Sequence, residues 1–80
     1  MYFTYILKSK IKNWYYIGHT SDVENRLKQH NKGRSQSTKF YKPFTMVYEE
    51  RFNTKSEAFK REQQIKSYRH GEAFKKLIGI

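Results

Sequence analysis

Trp14-Tyr15-Tyr16-Ile17-Gly18-His19, with Ser21-Asp22-Val23-Glu24 close behind it, is the stretch on which the fold turns. Its first five residues, aromatic or β-branched and closed by a glycine, have the composition of a strand. Ser21 and Glu24 then supply an S-x-x-E pattern, in which hydroxyl and carboxylate satisfy two helix-start amides reciprocally. A helix is therefore expected from near Ser21 to Gly33, where glycine ends it. Advancing about 100° per residue sets Val23, Leu27 and His30 on one stripe with Arg26 on its flank. Tyr16, His19, Arg26 and His30 thus gather around a single strand-to-helix junction.

Upstream, Tyr2 to Lys8 alternates, with Phe3, Tyr5 and Leu7 on one face and Tyr2, Thr4 and Ile6 on the other. The short polar link Ser9 to Asn13 makes an antiparallel hairpin the simplest connection to Trp14–Gly18. Paired in that way, Tyr5 and Tyr16 can point to the same side, although register is not settled by sequence. Downstream, Arg34 to Lys39 is polar and cationic, suited either to tracking a phosphate backbone or to a solvated linker. Phe44 to Phe52 reads as a third strand, with Phe44, Met46 and Tyr48 opposed to Thr45, Val47 and Glu49. Thr54 and Glu57 repeat the capping signal. The helix that follows, from Lys55 to about Tyr68, carries Ala58, Phe59 and Ile65 on its core face. Glu62 falls on that apolar stripe, where a carboxylate loses hydration unless its charge is compensated by a metal ion or by pairing with Arg26. A last short helix, Glu72 to Ile78, offers Phe74, Leu77 and Ile78 for packing.

Eighty residues limit the chain to one domain, residues 1–80, with a modest core. No cysteine is present, so no disulfide, disulfide-linked partner or thiolate zinc site is expected. Seven Tyr, six Phe and one Trp supply the buried area instead. The amino terminus is interrupted by Lys8 and Lys10 too early for a signal peptide or a membrane span, and a cytoplasmic, non-membrane protein is the expectation. Seventeen Lys and Arg against seven Asp and Glu give a formal charge of +10. That balance favours polyanions, nucleic acid first among them, while also fitting a surface that serves only solubility.

Taken together, these residues resemble the signature of the GIY-YIG nuclease superfamily, in particular the nuclease domain of the bacterial excinuclease. Tyr5 in Thr4-Tyr5-Ile6 stands where the family has the tyrosine of its first triplet, and Tyr16-Ile17-Gly18 is the second triplet unaltered. His19 occupies a position that is often basic in the family. Arg26 matches the helix arginine, His30 the His or Tyr one turn later, and Glu62 the metal-binding glutamate. Thr4 and its neighbours replace the Gly-Ile of the first triplet, and an asparagine found near the carboxyl end of some relatives has no clear counterpart. The resemblance implies an α+β fold, a three-stranded antiparallel sheet flanked by about three helices.

It also implies a metal-dependent endonuclease acting on DNA, in repair or recombination. Glu62 would hold one divalent ion, Mg²⁺ or alternatively Mn²⁺, since these ions take oxygen ligands and keep several waters. Arg26 would grip the phosphate in a forked contact. Tyr16, or Tyr5 beside it, would orient or deprotonate the attacking water. His19 or His30 are alternatives, because imidazole titrates near neutrality. Lys39, Arg61 and Lys66 are candidate DNA contacts, or else a solvated cationic face. The competing reading is a nucleic-acid-binding module that keeps the fold without turnover.

Overall fold

A computed structural model describes residues 1–80. Three strands, β1 (Tyr2–Ser9), β2 (Tyr15–Thr20) and β3 (Phe44–Phe52), form one antiparallel sheet in the order β2-β1-β3. Three helices, α1 (Val23–Asn31), α2 (Lys55–Ser67) and α3 (Glu72–Ile78), accompany it, with a single 3-10 turn at Lys39–Tyr41. The expected α+β architecture is the observed one.

The first strand lies in the middle, bonded along both edges, and with α1 over one face and α2 and α3 over the other, Thr4, Tyr5, Ile6 and Leu7 are all buried. On one face Tyr5, Leu7 and Phe44 pack with Trp14, Tyr16, Val23, Leu27, Tyr41 and Met46. On the other, Ile6 and Ile17 meet Ile65 of α2 and Phe74 of α3. The Thr4 hydroxyl donates to the Ala58 carbonyl at 2.7 Å and ties α2 to the central strand. Asn31, the last residue of α1, accepts from Phe44 N–H at 2.6 Å and donates to its carbonyl at 3.4 Å, joining α1 to β3. Trp14 stacks on Tyr41 with centroids 4.1 Å apart and closes the far end of the first core.

Three local expectations are corrected. Asp22, and not Ser21, caps α1: its carboxylate accepts from Asn25 N–H at 3.1 Å, and its own N–H is held by the Thr20 hydroxyl at 3.2 Å. Two capping residues stand side by side here, and the one with an anchored backbone takes the role. The alternation of β3 does not run through, because an irregularity opposite Ile6 and Leu7 inserts Val47 between paired residues. Tyr48 consequently packs with Val47 against the second core while Met46 stays with the first. Phe59 is not core. It is 46% exposed at the rim of α2, and the buried stripe is Ala58, Glu62 and Ile65.

The second capping signal behaves as read, with Thr54 and Glu57 forming a reciprocal capping box. Gly33, at φ +76, stands directly beyond the α1 cap residue Lys32 and ends that helix. No helix of the molecule is long and apolar enough to cross a membrane.

Candidate active site

The register places Tyr5 opposite Gly18 and Leu7 opposite Tyr16, which puts both tyrosines on the face covered by α1. Gly18 has no side chain, and that absence admits the phenol: a Cβ at Gly18 would lie 2.8 Å from Tyr5 Oη and 2.9 Å from Tyr16 Cε2. The Tyr5 and Tyr16 rings are 6.2 Å apart, and His30 sits against both at 6.4 and 4.7 Å between centroids. His30 is 1% exposed, with Nδ1 2.9 Å from Thr38 Oγ1 and Nε2 3.3 Å from Tyr5 Oη. Burial, with the Arg26 charge nearby, pushes its pKa down to about 4, so the ring is neutral at pH 7. A neutral ring donates from one nitrogen and accepts at the other, which suits two hydroxyl partners.

Burial likewise pushes the Tyr5 phenol up to about 12, although the adjacent Arg26 works in the opposite direction. Tyr5 therefore keeps its proton near neutrality and acts as a hydrogen-bonding group there. Arg26 is raised above its ordinary value, chiefly by the Tyr5 hydroxyl and then by Tyr16. One guanidinium nitrogen donates to Gln29 Oε1 at 3.3 Å, while Nε is buried without a partner. An unpaired buried donor on a cation is costly unless a ligand completes it.

A second group lies where β2 meets α2. His19 Nδ1 is 2.6 Å from Glu62 Oε1, and Lys66 Nζ is 2.7 Å from Glu62 Oε2. A carboxylate oxygen accepts, so Nδ1 of His19 donates to Glu62 and Nε2 is the ring nitrogen left facing away from it. Glu62 is 6% exposed, with Lys66 as its cationic partner and His19 as a hydrogen-bond donor; the pairing with Arg26 weighed from sequence is not formed. Arg26 of the first group and His19 of the second line one cleft of about 360 Å³, together with Tyr2, Thr20, Ser21 and Lys55.

The GIY-YIG catalytic domain family model matches residues 1–73. The chain belongs to the GIY-YIG family. It is 39% identical to a UPF0213 protein of Staphylococcus haemolyticus over 77 residues, 95% of this chain and 93% of that one. A UPF0213 protein of Staphylococcus saprophyticus is 43% identical over 68 residues, covering 84% and 82% of the two chains. The solution NMR structure of a UPF0213 protein from Bacillus halodurans aligns at 34% identity and a TM-score of 0.49, over 82% of this chain and 70% of that one. GIY-YIG membership makes this a nuclease-superfamily domain whose substrate class is nucleic acid, in a superfamily that generally uses divalent metals.

Against that family pattern, the structure brings Tyr5, Tyr16, Arg26 and His30 into one cluster and sets His19 with Glu62 beside it. The predicted DNA contacts are placed differently. Arg61 donates to Glu50 at 2.9 Å and to Gln64 at 2.7 Å, and its charge is engaged in the fold. Lys66 lies on Glu62, and Lys39 places its ammonium 5.0 Å from the Phe40 ring centroid. Sequence reasoning passed over Thr38, the partner of His30, and the closeness of Gly18 to both phenols. It also passed over the Glu62–Lys66 pair, although that i,i+4 spacing was visible.

No three His, Cys, Asp or Glu side chains converge into a metal-holding cluster. Glu62 nevertheless has the donor chemistry that a divalent ion takes. It presents hard carboxylate oxygens, and the cation on Oε2 is a lysine whose side chain is 47% exposed and free to leave. Lys66 keeps a positive charge at that oxygen, as a divalent ion would.

Proposed function

We propose that this chain is a divalent-metal-dependent endonuclease that hydrolyses DNA phosphodiester bonds, with incision in repair or recombination as its setting. The observation that carries the reading is Arg26: a half-buried guanidinium beside two phenols, its Nε buried without a partner, lining the same cleft as His19.

In this reading a phosphate enters the cleft and Arg26 takes its oxygens in a forked contact, stabilising the charge that builds during attack. Tyr5, held neutral by burial, donates to the phosphate or the attacking water. Tyr16, less buried, is placed to orient the same water. His19 is the base best prepared by its surroundings, since Glu62 fixes its tautomer and leaves Nε2 to accept the water proton. The water oxygen bonds to phosphorus, the bond to the leaving oxygen breaks, and solvent returns a proton to that oxygen. His30, pinned between Tyr5 and Thr38, positions the phenol. Glu62 Oε2 would hold the ion once Lys66 moves aside, and the ion would supply positive charge to the phosphate.

Supercoiled plasmid incubated with Mg²⁺, Mn²⁺ or EDTA tests the proposal. Nicking only with metal, abolished in Arg26→Ala and Glu62→Ala, is the expected result. Cleavage that survives both substitutions overturns it.

One observation favours a second reading, a DNA-binding module without turnover. Both Glu62 oxygens already have cationic or imidazole partners within the chain. That reading predicts salt-sensitive DNA affinity and no cleavage in any metal.

A further inference from the structure

A second recess of about 260 Å³ shares only Arg26 with the cleft described above. Arg26, Gln29, His30, Arg34 and Ser35 line it, and none of them is apolar or acidic. Helical spacing explains the first three, since positions i, i+3 and i+4 lie on one face of α1.

Arg34 arrives by a different route. Gly33 adopts φ +76, its N–H donates to the His30 carbonyl at 3.1 Å, and Arg34 N–H donates to the Gln29 carbonyl at 3.1 Å. These two bonds are the helix-terminating pattern in which a left-handed glycine folds the chain back over the last turn. Ser35 is fixed in turn, because its carbonyl accepts from Thr38 and Lys39 N–H at 3.2 and 3.0 Å. Two guanidiniums therefore face one recess, and Arg34 makes no ion pair with any carboxylate of the chain. The buried Nε of Arg26 is without a partner as well.

Cations brought together without a counter-charge are mutually repulsive unless an anion joins them. We propose that this recess is a second phosphate subsite, taking the backbone phosphate next to the one gripped in the cleft, with Arg34 as its principal ligand. Gln29 and Ser35 add neutral polar groups. Arg26, at the boundary, then bridges two successive phosphates of one strand. The inference rests on the nucleic-acid reading above and deepens it, since it says on which side of Arg26 the strand continues: over the carboxyl end of α1.

Binding is measured in EDTA, so that turnover plays no part, by fluorescence anisotropy of single- and double-stranded DNA oligonucleotides between about 50 and 200 mM salt. Arg34→Ala is compared with Arg51→Ala, which removes the same charge from an exposed position on β3. The expected result is an affinity loss of about tenfold for Arg34→Ala, the scale of one charge-assisted hydrogen bond. Its salt slope should fall by about 0.7–0.9, one phosphate contact. Arg51→Ala should lose less on both counts, and Arg34→Lys should fall between wild type and alanine. A scan of single methylphosphonate linkages should find a position where wild type loses affinity and Arg34→Ala does not.

Equal behaviour of the two alanine variants, or a scan in which no linkage distinguishes Arg34→Ala from wild type, overturns the subsite. Arg34 is exposed, so its replacement leaves the core intact. Cleavage with metal alongside equal binding of the variants defeats the subsite alone. Arg34-dependent binding without cleavage in any metal defeats the nuclease reading alone.

Discussion

Replacing Gly18 by alanine adds one methyl group directly against two phenol rings. Its Cβ would lie 2.8 Å from Tyr5 Oη, 2.9 Å from Tyr16 Cε2 and 3.0 Å from Tyr5 Cζ. Comfortable contacts between such atoms are about 3.5–4.0 Å, so at least one ring must move by roughly half an ångström or more. Tyr16 has some room at the surface. Tyr5 does not, being 1% exposed with its hydroxyl against His30. Overpacking of this kind costs about 1–3 kcal/mol. With about 2 kcal/mol and a urea dependence near 1 kcal/mol per molar, the unfolding midpoint should drop by about 2 M. The melting temperature should drop by about 8–16 °C. Urea titration followed by far-UV circular dichroism reads the first figure and a thermal scan the second. Under fully folded conditions, the nicking rate should also fall, because the phenols are displaced from Arg26. A variant as stable as wild type to within about 0.5 kcal/mol, with unchanged nicking, would show that the Tyr5 hydroxyl does not rest over this glycine.

Arg26→Ala should lower the nicking rate by about 10²–10³, the usual effect of removing one pre-aligned charge-stabilising donor; a loss below tenfold in a time course removes Arg26 from the phosphate. Lys66→Ala should tighten Mn²⁺ binding roughly twofold to fivefold, in keeping with an exposed ion pair that competes for the carboxylate. Electron paramagnetic resonance titration of free Mn²⁺ reads that change without any substrate, and weaker binding would place the ion elsewhere. His30, with a folded pKa near 4 against about 6.5 unfolded, binds fewer protons folded than unfolded between those values. Its contribution to stability is thus complete above about pH 6.5 and is lost as pH falls toward 4. Urea midpoints across that window should show a slope that His30→Gln reduces, and equal slopes for the two proteins would contradict the neutral buried ring.

The strands and helix ends were legible because they rest on local rules. Alternation in Tyr2–Lys8, the Thr54–Glu57 box and the glycine at position 33 each act within a few residues. What escaped depends on contacts between distant parts. Ser21 and Asp22 are equally good caps by type, and only the Thr20 hydroxyl holding Asp22 N–H decides between them. The extra residue at Val47 leaves the β3 pattern looking regular, since Met46, Val47 and Tyr48 are each acceptable on an apolar face. Phe59 is apolar and lies on the expected arc, yet α2 turns it to the rim beside His19, with ring centroids 5.5 Å apart. For the candidate site, the family resemblance pointed to Tyr5, Tyr16, His19, Arg26, His30 and Glu62. The division of charge between them was hidden, because Lys66 pairs with Glu62 from the next turn of the same helix and leaves Arg26 without an ion pair.

Tyr5 is carried by the strand that is bonded along both edges and roofed on both sides. Such a segment is the last part of a small domain to open, and it opens only when everything else does. Tyr5 consequently has no private melting of its own: exposure of its phenol and loss of shape should trace the same curve.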